Sequence, residues 1–166
     1  DIQNSVFDLI DLGQVSVKGS YDGRRLFVEK AKAIRHDGII ESNGSVPFDF
    51  NINSPNIGQF FSGDSIDFHT TAQLESLPFL SPYIADLDSV RGNIDISLSL
   101  TGPVDSMDRS GHIKVKNGKI YTLLISDPVT SVDGDAYMNH NQLIIQSIQA
   151  TLYHSNGKYL RKKSYL

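Results

Sequence analysis

The side chains best equipped for chemistry are five histidines, at positions 36, 69, 112, 140 and 154, and a good supply of acids. Two histidines at metal-ligand spacing, with a glutamate on the same helical turn, would mark a metalloprotease zinc site. Neither feature occurs. His112 falls on an outward beat of an alternating stretch, and His36, His140 and His154 fall near turns. Asp133-Gly134-Asp135 and Asp86-Leu87-Asp88 offer the oxygens that calcium takes, but neither completes the spaced acidic loop that ends in Glu. Turn-forming aspartate accounts for both. The serines lack a Gly-x-Ser-x-Gly elbow, and no glycine loop is built to cradle phosphate. Among 19 acids nothing singles out a pair for glycoside hydrolysis. Asn43-Gly44-Ser45 has the form of a glycosylation acceptor, although a hairpin turn explains it better. These residues point away from an enzyme, and they imply no metal and no cofactor.

Composition narrows the field further. A chain of 166 residues suits one domain with a sizeable core. An apolar share of 39% and a charged share of 20% fit a folded chain. The net charge of −4 gives no electrostatic reason to expect nucleic acid. Arg161, Lys162 and Lys163 form the one basic run and read as a solvated tail. With no cysteine, disulfides and thiolate metal sites are out of reach. No stretch approaches the ~18 apolar residues of a membrane-spanning helix. The chain opens on Asp1 with no signal peptide, so it reads as a mature form or a piece of something longer.

The elements that would carry any site are strands. Asp22-Gly23, Asp37-Gly38, Asn43-Gly44, Asn117-Gly118, Asp133-Gly134 and Asn156-Gly157 are hairpin-type dipeptides, and they predict turns. Between them the residues alternate. From Gly92 to Gly102, Ile94, Ile96, Leu98 and Leu100 face one way, while Asn93, Asp95, Ser97 and Ser99 face the other. Period two over four cycles is a strand with one wet and one dry face. The same rule places Val15 and Val17, Ile66 and Phe68, and Ile113 and Val115 on dry faces. Ile144, Ile148, Ala150 and Leu152 are read in one register. Leu26–Val28 and Leu143–Ile145 are apolar at consecutive positions, which predicts cover on both faces or a bulge. One short helix is expected at 54–61, from Ser54, Pro55 and the spacing of Ile57, Phe60 and Phe61. Leu77–Asp88, with Pro78 and Pro82, is read as a compact turn or a second short helix capping an end of the sheet. Segments 15–44 and 129–157 share an order of strand, turn, apolar triplet and alanine, a weak internal repeat.

A one-layer sheet with a continuous dry face must bury it against another layer, a lipid or a partner. At residues 79–120 the phrasing resembles a known family. Phe79-Leu80-Ser81-Pro82-Tyr83-Ile84 leads through Gly92 into the alternating strand that ends at Gly102. Gly111-His112-Ile113-Lys114-Val115-Lys116-Asn117-Gly118 follows a short acidic linker. Asp127–Gly134 and Leu143–Ala150 fit the next phrase. This is similar to the repeating pattern of the TamB and AsmA-like family, the translocation and assembly module group.

The resemblance implies an all-β chain: an elongated, curved sheet, a β-taco or half-open solenoid or jelly-roll-like form, with one or two short helices. It implies that residues 1–166 are a single β-repeat segment of a larger periplasmic protein, anchored in the inner membrane of diderm (Gram-negative) bacteria. The hydrophobic groove of such a segment shields phospholipid acyl chains moving between the inner and outer membranes. The alternative is a scaffold for outer-membrane barrel proteins or autotransporters, which would pair strands with a barrel partner or a nascent chain. The groove-facing candidates are Val15, Val17, Ile66, Phe68, Ile94, Ile96, Leu98, Leu100, Ile113, Val115, Ile144, Ile148 and Leu152. Ten to twelve strands spaced ~4.8 Å apart would make a trough ~50 Å long.

Overall fold

The computed structural model describes residues 2–7, 10–55, 57–61, 63–77, 85–140, 142–152 and 160–165. They form strands β1 (Ile2–Phe7), β2 (Ile10–Tyr21), β3 (Leu26–Arg35), β4 (Gly38–Val46), β5 (Ser65–Ser76), β6 (Leu87–Pro103), β7 (Asp108–Thr122), β8 (Val129–Asn139), β9 (Gln142–Leu152) and β10 (Leu160–Tyr165). All belong to one sheet whose spatial order is the chain order, each strand antiparallel to the last. The sheet is open and curved. The all-β, elongated curved architecture expected from the sequence is what the chain adopts.

Alternation sets this up. In β5 burial switches at nearly every residue, with Ile66, Ala72 and Leu74 buried and Asp67, His69, Thr71 and Gln73 exposed. The register carries the pattern sideways: Phe68 lies opposite Leu100, Ala72 opposite Ile96 and Leu74 opposite Ile94. Ala72, Leu74, Leu77 and Ile94 form the packed core, with Ile40, Val90, Ile96 and Val115 around it. Among the described residues no second layer covers this face. Its side chains are only 1–6% exposed in the core, while those on the reverse of the same strands stand in water. In a single layer that asymmetry places the apolar face on the inside of the curve.

The glycines show how the curve is made. Gly19 pairs with Val28, Gly38 with Leu74, Gly44 with Phe68, Gly111 with Leu98 and Gly134 with Ile148, so all five lie on the apolar face. A Cβ at Gly38 would run into the carbonyl oxygen of Gln73, and one at Gly44 into that of Asp67. Their φ angles, +147° and +134°, are ones that L side chains rarely adopt. Glycine kinks and bulges together are the usual means of curling a sheet.

That use of glycine corrects part of the turn reading. Asp22-Gly23 does turn between β2 and β3, where Asp22 Oδ1 accepts the N–H groups of Arg24 and Arg25 at 3.0 and 2.7 Å. Between β3 and β4 the turn is formed by His36 and Asp37, and Gly38 opens β4 opposite Arg35. Asn43-Gly44, Asn117-Gly118 and Asp133-Gly134 instead lie within β4, β7 and β8. There the glycine admits a close neighbouring backbone or marks a bulge, as at Asn117, whose φ is +52°. Asn156-Gly157 lies outside the described residues.

The helix expected at 54–61 does not form. Its described residues make turns, and Phe60 is drawn into a bridge with Phe48 while Gly58 takes φ +83°. A 3-10 turn, Val104–Ser106, sits between β6 and β7. Of Leu77–Asp88, Leu77 packs in the core, Ala85 and Asp86 form a turn and Leu87 opens β6; 78–84 lie outside the described residues. Segments 15–44 and 129–152 contain the antiparallel pairs β2–β3 and β8–β9, and in each an irregularity follows the apolar triplet.

Gly44→Val puts a β-branched side chain at a left-handed φ with Asp67 backbone in its way. It should cost about 2 kcal/mol or more, read as a lowered thermal midpoint by circular dichroism. Ser45→Val, one residue on and facing the other side, should cost much less.

Candidate functional site

The candidate site is the inner, apolar face. One row of paired positions crosses eight strands: Val17, Ala31, Ser42, Thr70, Leu98, Gly111, Met138 and Leu143. Beside it runs a second row: Val15, Ala33, Ile40, Ala72, Ile96, Ile113, Ala136 and Ile145. Over strands β2 to β5 the first row is built from small side chains, Val17, Ala31, Ser42 and Thr70. Its two hydroxyls share a hydrogen bond, Ser42 Oγ and Thr70 Oγ1 lying 2.9 Å apart.

The predicted groove residues separate into groups along this face. Val15, Phe68, Ile96, Leu98, Leu100, Ile113 and Val115 are half-buried and line an accessible surface. Val17 and Ile148 share the face and are more open, at 62% and 38% exposure. Ile66 and Ile94 also face inward but are sealed, at 5% and 1%, so they belong to the packed ends and offer no contact surface. Leu152 pairs with Val129; its side chain lies outside the described residues.

Ile144 is a correction. It pairs with Tyr137, itself opposite His112, and so belongs to the polar face. Between Ser147 (opposite Asp135) and Ile145 (opposite Ala136), Gln146 is an extra residue. This bulge reverses the alternation, so Ile145 and Leu143 share the apolar face with Ile148. They are 63% and 62% exposed. The run of three apolar residues was the only sequence signal that two faces were served at once.

At one end of the apolar face sits an ion pair. Arg35, opposite Gly38, and Asp37 have side chains 2% and 5% exposed. Arg35 Nε donates to Asp37 Oδ1 at 2.7 Å and its Nη2 to Oδ2 at 3.0 Å. The Ser76 hydroxyl also donates to Oδ2, and Glu75 N–H donates to the Asp37 carbonyl at 2.6 Å. Three strands are thereby locked at their ends. Burial alone would push the Asp37 carboxyl up, but the hydrogen bonds from Arg35 and Ser76, with the positive charge of Arg35, hold it below the ordinary carboxylate range. Arg35 Nη1 is buried without a partner among the described residues, which makes the carboxylate all the more needed.

The opposite face is largely polar and carries several ion pairs. Lys30 and Lys32 both reach Glu41, at 3.3 and 3.4 Å, and hold its carboxyl below the usual range. His112 Nε2 meets Asp135 Oδ1 at 2.7 Å, and His69 meets Ser99 Oγ at 2.8 Å. Asp133 Oδ1 accepts the Asn117 N–H at 2.9 Å. Asp133 and Asp135 thus have other partners, and no group of three metal-ligating side chains occurs among the described residues. A polar dent of about 510 Å³ is lined by Lys32, Glu41, Thr71, Gln73, Asp95 and His112 among others. His36 and His140 occupy turns; His154 lies outside the described residues.

The class defined by this geometry is a single-layer antiparallel sheet with an apolar inner face and a charged outer one. No known protein family, curated protein or solved structure matches the chain.

Asp37→Ala strands a buried guanidinium, and should cost about 3–5 kcal/mol. The wild-type pH profile follows from the lowered carboxyl. Its contribution is complete at neutral pH, begins to fade below about pH 5, and is lost as pH falls through the depressed folded-state value. Chemical denaturation between pH 3 and 7 should show that loss in the wild type and a shallower one in Asp37→Ala.

Proposed function

We propose that the chain is a non-enzymatic, periplasmic segment of a protein anchored in the inner membrane. Its apolar inner face shields phospholipid acyl chains in transit between inner and outer membranes. The observation that carries this reading is the half-buried stretch Ile96, Leu98, Leu100 and Ile113, which has no second layer over it among the described residues. Acyl chains would supply the missing cover, at about 0.8 kcal/mol per buried methylene. The attraction is non-directional, so a chain could slide along this face. Headgroups would stay in water beyond the strand ends. Ten strands at about 4.8 Å spacing give the face a length of roughly 43 Å along the curve, close to the length expected from sequence.

A second reading rests on the sheet's two borders. β1 and β10 each pair on one side only among the described residues, and an open edge can accept a strand from a nascent outer-membrane protein or a barrel partner. Main-chain hydrogen bonds would supply that affinity. A proline introduced into β10 should then abolish partner capture, and a polar inner face should leave it intact.

For the lipid reading, mass spectrometry of lipid extracted from the purified protein is the direct test. Leu98→Asp should lose most of the co-purified phospholipid, and Ser97→Asp, on the outer face of the same strand, should keep it. Equal lipid in wild type and a folded Leu98→Asp variant would sink the proposal.

A further inference from the structure

We propose that the connection between β4 and β5 is a bilayer-contacting loop, whose tip at Ile52 and Ile57 enters the interfacial layer of an electrically neutral phospholipid membrane. From Phe50 through Gly63 the sequence contains no Asp, Glu, Lys, Arg or His. The acids that bracket the run are turned to other work. Asp49 is 5% exposed, and its Oδ1 accepts the Asn51 N–H at 2.8 Å. Asp64 Oδ2 takes Arg24 Nε at 2.7 Å. Beyond them four large apolar side chains stand in water: Ile52 at 82% exposure, Phe60 at 51%, Ile57 at 49% and Phe50 at 47%. Single exposed apolar residues are ordinary; a cluster on one uncharged loop marks an interaction surface.

The loop is preformed. Asp49 N–H donates to the Gln59 carbonyl at 3.0 Å, Gly58 N–H to that of Asp49 at 2.8 Å and Phe61 N–H to that of Pro47 at 3.0 Å. Phe48 packs on Phe50 and Phe60 with ring centres 4.6 and 5.6 Å apart, and the Tyr21 hydroxyl accepts the Phe50 N–H at 3.2 Å. The isoleucines are therefore held out by a built scaffold.

The chemistry of the loop selects the partner. A protein partner is ordinarily met by an apolar centre within a polar rim that includes charge and fixes orientation. The polar side chains from Phe50 to Gly63 are all amides and hydroxyls, the aromatic rings lie toward the base, and the nearby charge, Arg24 over the Phe61 ring, is paired with Asp64; that composition sits well between headgroups. The chain's net charge of −4 disfavours an anionic surface. The proposal does not depend on the inner face carrying lipid: one concerns a membrane surface, the other single acyl chains.

The protein contains no tryptophan, so Ile52→Trp places a sole indole at the tip. Tyr137→Trp, on the outer face of β8, is the reference. Each is titrated with phosphatidylcholine vesicles, with and without bromine on the acyl chains. Ile52→Trp emission should move to shorter wavelength and be quenched by the brominated chains, and Tyr137→Trp should do neither. Adding Ile57→Asp should weaken vesicle binding about tenfold or more. Adding Leu98→Asp should leave vesicle binding unchanged even where co-purified lipid is lost, which keeps the two readings separate. An unquenched Ile52→Trp, or equal quenching at both positions, overturns the proposal. Ile57→Trp repeats the measurement should Ile52→Trp fail to fold by circular dichroism.

Discussion

The constraint on which this structure depends is that one sheet has to withdraw a continuous apolar face from water with no second layer to help. A flat sheet would leave both faces equally wet. Curling brings the side chains of the inner face together, so that Ile94 and Leu74 reach the exposure of a closed core. The inner surface of a curve has less room than the outer, which is why glycine and alanine gather there. Gly38, Gly44 and Gly111 lie directly beside Leu74, Phe68 and Leu98, small against large across each pair. Interdigitation of this kind is what close packing demands.

The ends of the strands complete the enclosure. At one end the Arg35–Asp37–Ser76 cluster joins β3, the β3–β4 turn and β5 beside the core residues Leu77 and Ile94. At the other, Pro47 is fully buried and the Tyr21, Phe50, Phe48 and Phe60 rings meet edge-to-face or tilted against one another, close to the strand ends that carry Leu26 and Val46. Outer-face pairs such as Lys32–Glu41 and His112–Asp135 are solvated and contribute little energy each. Their service is to favour one register, since a slip of one residue would turn the apolar beats into water.

How much of this was legible follows from what alternation can and cannot encode. Strands β5, β6 and β7 could be read because Ile66–Phe68, Ile94–Leu100 and Ile113–Val115 keep period two without interruption. Their pairing makes one face of three strands. Bulges break the inference silently: Gln146 carries no mark of being the extra residue, so plain alternation puts Ile144 where Ile145 belongs. Asn-Gly and Asp-Gly are ambiguous for a related reason. The same positive φ that closes a hairpin also lets a strand kink over its neighbour, and Asn43-Gly44 kinks while Asp22-Gly23 turns. At 54–61 the local helix pattern lost to tertiary structure. Phe60 gains more by bridging to Phe48 and meeting its ring edge-to-face than by completing a single helical turn.

The inner face is not uniform, and its unevenness bears on what it can hold. Its middle is half-buried, its core side at Ile94 is closed, and towards β2 and β9 it opens, with Val17, Leu143 and Ile145 more than 60% exposed. An apolar chain laid on this face therefore meets side chains whose exposure changes from strand to strand. The Ser42 and Thr70 hydroxyls share one hydrogen bond across β4 and β5, which satisfies one donor and one acceptor between them. A buried hydroxyl left without any partner would cost about 1–3 kcal/mol, so the shared bond lowers the cost of covering these two side chains with hydrocarbon. The same bond also links β4 to β5, so the contact that makes the face less polar helps to hold its shape.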